Sequence, residues 1–166
     1  PHAHTDVGYT HRQWEAVERM SRNLDVAVDW LREHPKAFAY HLDSSIALDH
    51  YLSTRAPDRA HALLDQVHAG RLGVPTNTII PLTHLAALED LIRNGEASED
   101  VLRPLGRSAR FAAIVDVPSL TSALPSILQG SGVPSPIPAA NQDRGPLPPP
   151  GGLHRHPPSY CQGPPG

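Results

Sequence analysis

Several residue types are scarce in this sequence, and each scarcity excludes a class of protein. Cys161 is the only cysteine in 166 residues, so neither an internal disulfide framework nor a cysteine-based zinc site can form. Lys36 is the only lysine and the formal net charge is -3, so the basic surface that binds nucleic acid is missing. No apolar run reaches the roughly 18 residues of a membrane-spanning helix, and no signal peptide is visible. We therefore expect no nucleic-acid or membrane partner and favour a cytoplasmic location.

The first 133 residues show repeated helical patterns. Apolar residues recur at three- and four-residue steps over residues 10–34, which predicts an amphipathic helix of about six turns. Further helices are predicted after an N-cap at Asp43 or Ser44, from Pro57 to Gly70, from an N-cap at Thr83 to Asn94, and over residues 120–128. The segment between the last two helices is charged and reads as a loop.

Short apolar stretches between these helices predict strands. Residues 36–42 and the start of residues 71–80 form two of them, and residues 109–115 are almost wholly apolar and end on Asp116. The last of these has the profile of a strand buried on both faces, as in a parallel sheet covered by helices. Strands that alternate with helices predict an α/β fold, either a barrel or a doubly wound sheet.

The composition changes at Pro134. Eleven of the 19 prolines lie between that residue and the end of the chain, together with repeated glycines. Because proline lacks the backbone N–H donor and fixes φ, regular structure is disfavoured there. We therefore divide the chain into an α/β unit of residues 1–133 and an irregular or disordered tail of residues 134–166.

The stretch HAHTD at residues 2–6 and the aspartate at residue 116 carry the clearest chemical signal. His4 and Asp6 lie two residues apart on a predicted strand, so the imidazole and the carboxylate point to the same side. Asp116 ends a buried strand, and the carboxyl ends of parallel strands line the active-site face of α/β proteins. Nitrogen and oxygen donors together suit Zn²⁺ or a related divalent cation. Each feature alone has a simpler interpretation, since eleven histidines form pairs by chance and Asp116 could cap a helix after Pro118.

Three stretches resemble glycoside hydrolase family 38, the α-mannosidases. HAHTDVGYT is similar to the family's first catalytic motif, H-x-H-x-D-x-G-aromatic, which ends the first barrel strand. FAAIVDVPSLTSALPSILQGSGV resembles the segment in which an apolar strand delivers an aspartate, and HAGRLGVPTNTIIPLTHLAALEDLIRNG resembles the G-x-L-E segment with its loop and helix. The resemblance covers roughly residues 1–133 and implies the N-terminal part of a (β/α)7 barrel similar to a TIM barrel.

The resemblance also implies a function and a role for each motif residue. His4 and Asp6 correspond to zinc ligands, and Asp116 corresponds to both a zinc ligand and the nucleophile of a retaining mechanism. Tyr9 falls where the family has an aromatic residue that stacks on the sugar, and His2 corresponds to a supporting residue. The implied protein is a retaining, zinc-dependent α-mannosidase whose partner is a carbohydrate, an α-mannoside of a glycan.

The sequence departs from the family pattern at several points. The family's D-P-F-G is Asp116-Val117-Pro118-Ser119 in this chain, and Pro81-Leu82-Thr83 stand where acidic residues are expected. The family's general acid/base carboxylate and its fourth zinc ligand, a histidine, can be assigned to no residue of the sequence. Because the chain also begins on Pro1, we expect it to be a fragment of a longer catalytic domain and inactive alone.

Two other functions fit part of the pattern. Metal-dependent hydrolases of the amidohydrolase or polymerase-and-histidinol-phosphatase type also begin with HxH on a first barrel strand. They need further histidines at strand ends, whereas the later candidates mostly lie in or beside predicted helices: His41, His50, His61, His68 and His84. The remaining alternative is a catalytically inert fragment that binds metal or carbohydrate.

Overall fold

The computed structural model describes residues 1–117 and 120–139. Its helices and strands, in chain order, are α1 (Gln13–Glu33), β1 (Tyr40–His41), α2 (Ile46–Thr54), α3 (Pro57–His68), β2 (Leu72–Gly73), α4 (Leu88–Arg93), α5 (Glu96–Leu102), a 3₁₀ turn (Arg103–Leu105), β3 (Phe111–Val115), α6 (Leu124–Gly130) and β4 (Ser135–Ala139). The predicted alternation of helices and strands is confirmed, and the protein is a mixed α/β structure.

Within residues 1–117 and 120–139, the paired strands run parallel and form two pairs. β1 pairs with β2, and β3 pairs with β4. Single backbone hydrogen bonds extend this arrangement, because the His41 N–H donates to the Pro1 carbonyl at 3.1 Å and the Thr76 N–H donates to the Phe111 carbonyl at 2.8 Å. The N-terminal segment, β1, β2, β3 and β4 are therefore neighbours in chain order, which is the pattern that successive βα units produce. Closure into a barrel of seven strands stays a prediction.

The larger hydrophobic core lies between α1 and the two helices that follow β1. Leu24, Val28 and Leu31 of α1 are fully buried against residues such as Leu48 and Leu63. These residues are three or four positions apart on α1, as the apolar periodicity predicts, and each buried side chain stabilises the fold by roughly 1.5–3 kcal/mol. One residue of the predicted apolar face is not buried: Trp14, in the first turn of α1, is 63% exposed.

A network of ion pairs joins the same three helices at their surface. Arg55, just after α2, donates to Glu18 at 3.1 Å and to Asp25 at 3.0 Å. Asp25 also accepts from Arg59 at 3.2 Å and from the buried Tyr51 hydroxyl at 2.9 Å. Desolvation by burial, with the Asp25 hydrogen bond adding to it, raises the pKa of Tyr51 to about 12. The network therefore fixes α2 and α3 to α1 through charges on their partly exposed edges.

A second, smaller core surrounds β3. Ala112, Ala113 and Ile114 are all buried, so both faces of this strand are covered, as the sequence predicts. Leu124 and Leu128 of α6 pack against it. This strand leads directly to Asp116.

Two predictions about helix starts are wrong. Neither Asp43 nor Ser44 caps α2, because Ser45 occupies the N-cap position and makes no side-chain cap hydrogen bond. Thr83 does not begin the next helix either: α4 starts after Ala87, and the buried Thr83 hydroxyl instead accepts from the Thr121 N–H at 2.9 Å. The Asp43 and Thr83 side chains instead contact residues far away in sequence, His4 and Thr121, rather than the start of the next helix.

Three other segments differ from the sequence prediction. The strand expected over residues 36–42 is reduced to β1, and the charged segment expected as a loop forms α5. The irregular tail expected from Pro134 is wrong for β4, which pairs with β3. Alternate residues of a strand direct their N–H groups to opposite edges, so Pro136 and Pro138 remove donors from one edge only and the other edge can still pair. Residues 140–166 of the predicted tail lie outside the described residues.

None of the helices within residues 1–117 and 120–139 combines the length and the apolar character that crossing a membrane requires.

Candidate metal centre

Three polar side chains converge at one end of the strands. His4, Asp6 and Asp116 each place one ligand atom within 4.8 Å of the ligand atoms of the other two. His4 Nε2 lies 3.6 Å from Asp6 Oδ1 and 3.7 Å from Asp116 Oδ2. The structure thus brings together the residues that the sequence nominates, which are separated by more than half of the chain. Their role as metal ligands stays a prediction.

The donor set fits a zinc ion. Zinc binds nitrogen and oxygen ligands at about 2.0–2.2 Å with tetrahedral angles, which places neighbouring donor atoms about 3.4 Å apart. The separations from His4 Nε2 to Asp6 and to Asp116, 3.6 Å and 3.7 Å, are close to this value, and the Asp6 and Asp116 ligand atoms lie within 4.8 Å of each other. The side chains of His4, Asp6 and Asp116 are 28%, 45% and 41% exposed, so the group opens to solvent.

Asp116 has an unusual backbone conformation. Its φ is 59°, and among the described residues it is the one non-glycine residue with a positive φ. This left-handed conformation is costly for most side chains and is tolerated best by Asp and Asn. The residue directly follows β3, so the turn changes the chain direction at the point where the carboxylate faces His4. Residues in sparsely populated conformations cluster at functional sites.

A fourth residue, Asp43, touches the group, and the sequence interpretation missed it. Asp43 Oδ2 lies 2.7 Å from His4 Nδ1, and the residue is only 5% exposed. This hydrogen bond is the main reason that the pKa of His4 lies above its ordinary value; the carboxylates of Asp6 and Asp116 act in the same direction and burial opposes them. A signal was present, because Asp43 ends the stretch KAFAYHLD as Asp116 ends FAAIVD.

Asn77 is a second buried polar residue that the sequence interpretation missed. Its Nδ2 donates to the Asp43 carbonyl at 2.9 Å, and its Oδ1 accepts from the Ala113 N–H at 2.9 Å. Its own backbone carbonyl accepts from the Ser45 N–H at 3.0 Å. Asn77 therefore joins the segment that follows β1 to β3, the strand that delivers Asp116.

His2, two residues before His4, belongs to a row of three neighbouring rings from His2, His41 and Phe111. The His2 ring stacks on His41 with ring centroids 4.8 Å apart, and His41 meets the edge of Phe111 at 5.9 Å. The intervening strand has Gly73 at this position, where a Cβ would lie 3.3 Å from atoms of both His41 and Phe111. Burial, together with the nearby His41, lowers the pKa of His2. His2 is thus outside the group of three.

The remaining predicted residues lie apart from this group or in less regular segments. Tyr9 is 81% exposed, and its role as a platform for a sugar stays a prediction. An amidohydrolase-type site would need histidines at strand ends, but three of the candidates lie on helices α2 and α3 instead: His50, His61 and His68. Of these, His50 hydrogen-bonds with Ser21 of α1 at 2.8 Å. Pro118 and Ser119, at which the sequence departs from the family's D-P-F-G motif, lie outside the described residues.

Comparison with known proteins identifies the fold. No protein-family model and no curated protein matches the chain. Among solved structures, an α-mannosidase from Enterococcus faecalis V583 matches with a TM-score of 0.69 and 24% identity over 81% of this chain. A glycosyl hydrolase of family 38 from Enterococcus faecalis matches with a TM-score of 0.66 and 24% identity over 81% of this chain. A 4-α-glucanotransferase from Thermococcus litoralis matches less well, with a TM-score of 0.51 and 19% identity over 68% of this chain.

These matches identify the class of fold: the chain has an α/β fold that is also found in an α-mannosidase, a glycosyl hydrolase of family 38 and a 4-α-glucanotransferase. Within that class, the resemblance to glycoside hydrolase family 38 that the motifs predict is confirmed at the level of the fold. The chain spans 15% of the length of each of the two Enterococcus faecalis proteins.

Proposed function

We propose that this chain is part of the catalytic domain of a retaining, zinc-dependent α-mannosidase. The observation that carries the proposal is the convergence of His4, Asp6 and Asp116, whose separations suit a zinc ion. The structural likeness to an α-mannosidase of family 38 supports the choice of reaction. Because the chain spans only 15% of those proteins, the activity of the parent enzyme is itself part of the proposal.

Asp116 is the proposed nucleophile. Its carboxylate would attack the anomeric carbon of the mannoside, so that a carbon–oxygen bond forms to Asp116 while the bond to the leaving oxygen breaks. The side chain is 41% exposed, which leaves one side open to a sugar. Zinc, when bound, would hold sugar hydroxyls and help to keep the ring distorted. Water then releases the glycosyl group with retention of configuration.

The chain's other residues have supporting roles in the proposal. His4 and Asp6 hold the metal beside the nucleophile, and the exposed Tyr9, three residues after Asp6, offers an aromatic face to the sugar. The leaving oxygen must also receive a proton from a carboxylic acid, and we assign this role to no described residue. We therefore propose that the 166-residue chain alone does not turn over substrate.

The proposal is tested with the full-length parent enzyme and an aryl α-mannoside. We expect hydrolysis that a chelator abolishes and that zinc restores, with the α anomer as the first product by NMR. Asp116→Asn should reduce turnover by at least about 10³-fold, because the amide is a poor nucleophile. Asp65→Asn, an exposed exchange of the same kind on α3, is the matched control and should leave turnover unchanged.

Turnover that survives both the chelator and Asp116→Asn would overturn the proposal. Hydrolysis of a phosphoester or a cyclic amide, with none of α-mannosides, would favour the amidohydrolase-type alternative. Zinc binding without turnover of any of these substrates in the full-length protein would favour an inert binding domain.

A further inference from the structure

We propose that Asp43 is a positioning residue of the metal site, and that Asn77 fixes Asp43 relative to the strand that carries Asp116. This inference rests on the proposed function, since it concerns the same site. Neither residue belongs to the group of three ligands. Asp43 contacts the group through its hydrogen bond with His4, and Asn77 hydrogen-bonds to Asp43 and to Ala113 of β3.

The hydrogen bond with Asp43 orients the His4 ring. An ionised carboxylate only accepts hydrogen bonds, so the 2.7 Å contact requires that His4 Nδ1 carries the proton. In the neutral ring Nε2 then holds a lone pair, and Nε2 is the atom that faces Asp6 and Asp116. The contact with Asp43 thus selects both the tautomer and the rotation of the ring that metal binding requires.

Asp43 is itself held in place by its burial and by Asn77. The residue is buried, lies two positions after the end of β1 at His41, and accepts a hydrogen bond from the Asn77 amide at its backbone carbonyl. Asn77 is also buried, and its Oδ1 accepts from β3 at Ala113, three residues before Asp116. A single amide therefore sets the distance between the residue that orients one ligand and the strand that delivers another.

A positioning role of Asp43 and a purely structural role predict different behaviour of its variants. A purely structural role for Asp43 predicts lower stability in its variants, with unchanged zinc affinity in the molecules that fold. A positioning role predicts weaker zinc binding in folded molecules, because His4 can then rotate or change tautomer. Removal of such outer partners of a ligating histidine typically weakens metal binding by about 10- to 100-fold.

The test measures the zinc affinity of the 166-residue chain by competition with a chromophoric chelator. The variants are Asp43→Asn, His4→Gln, and the exposed control Asp65→Asn, and circular dichroism of the metal-free proteins reports whether each is folded. We expect Asp43→Asn to bind zinc about 10- to 100-fold more weakly than wild type, with Asp65→Asn unchanged. Folded Asp43→Asn with the affinity of the control would overturn the positioning role.

A measurement on the unmodified chain covers the case in which Asp43→Asn does not fold. Long-range ¹H–¹⁵N correlation NMR distinguishes the two ring nitrogens, and the His4 signals are identified by their loss in His4→Gln. We expect the proton on Nδ1 and a zinc-induced shift at Nε2. A neutral His4 ring with its proton on Nε2, or zinc bound through Nδ1, would overturn the inference.

The outcomes also distinguish this inference from the proposed function. If wild type and His4→Gln bind zinc equally, or neither binds it, the metal site itself is wrong and both proposals fall. If His4→Gln weakens binding while Asp43→Asn matches the control, the metal site stands and only the positioning role is wrong.

Discussion

The side-chain amide of Asn77 donates to the backbone carbonyl of Asp43 across 2.9 Å, while its oxygen accepts from the Ala113 N–H. Both polar ends of this buried side chain are therefore used. The position demands a donor on one side and an acceptor on the other, and among the carboxylates and amides only an amide offers both. The choice of residue at this point follows from the hydrogen bonds of three chain segments.

Asn77→Asp should destabilise the protein by about 1–3 kcal/mol, because a carboxylate oxygen would replace the donor beside the Asp43 carbonyl in a buried place. The free energy of unfolding in urea measures this loss. Asn23→Asp, an exposed exchange of the same kind on α1, is the control and should change stability little. Equal stability of the two variants would contradict the role of the Asn77 amide.

Two substitutions of Asp116 should separate its backbone from its carboxylate. Asn tolerates the left-handed conformation at φ 59°, whereas Ala does so at a cost of about 1 kcal/mol. We therefore expect metal-free Asp116→Asn to unfold at the wild-type urea concentration and Asp116→Ala at a lower one. Both should bind zinc more weakly, since each removes a ligand. An Ala variant as stable as the Asn variant would show that the turn imposes no strain.

Gly95→Ala should destabilise the region between the two short helices. A Cβ at this position would lie 2.7 Å from Thr76 Oγ1, and Thr76 is itself buried. Overpacking of this kind costs about 1–3 kcal/mol, which thermal unfolding would measure. Gly130→Ala is the matched control, because a Cβ there meets open space at the end of α6. A smaller effect at Gly95 than at Gly130 would argue against the close contact.

Glu18 should make stability depend on pH in the acid range. The hydrogen bond from Arg55, with a smaller contribution from Arg22, lowers the pKa of Glu18. A carboxyl group with a lowered pKa in the folded state stabilises the fold above its unfolded pKa, and this contribution is lost as the pH falls through the folded pKa.

Glu18→Gln should therefore be less stable than wild type at pH 7, by at most about 1 kcal/mol for this partly exposed surface pair. The difference should shrink towards zero as the pH falls below about 4. Urea unfolding across this range measures it, with the exposed Glu33→Gln of α1 as the control. A difference that grows on acidification would reverse the predicted sign.

The sequence predicted best those elements whose apolar periodicity coincides with the core. α1 and α3 have regularly spaced buried residues, and Pro57 marks the start of α3. The segment around α4 has similar periodicity but no matching core: Leu85 is 73% exposed, and the helix begins only at Leu88. Periodicity shows where an apolar face exists and not what covers it.

The residues of the candidate metal centre show the same distinction between local patterns and long-range contacts. The sequence marked His4, Asp6 and Asp116 because each lies in a motif with a local pattern. Asp43 has an equally plausible local role as a helix cap, and its actual partner His4 is 39 residues away. For a residue such as Asp43, the local sequence fits both a helix cap and a contact with a distant histidine, and only the pairing of the strands determines which of the two forms.

The chain-order arrangement of neighbouring strands has a consequence for how the molecule is made. Each newly synthesised strand finds its partner already present in the chain behind it, so the sheet can grow from one edge during translation. A nascent chain that has not yet reached Asp116 already contains the helices of the larger core, but it has only two of the three proposed ligands. The proposed metal site would accordingly be completed only after β3 has been made, and a metal bound there would stabilise the completed arrangement over its precursors.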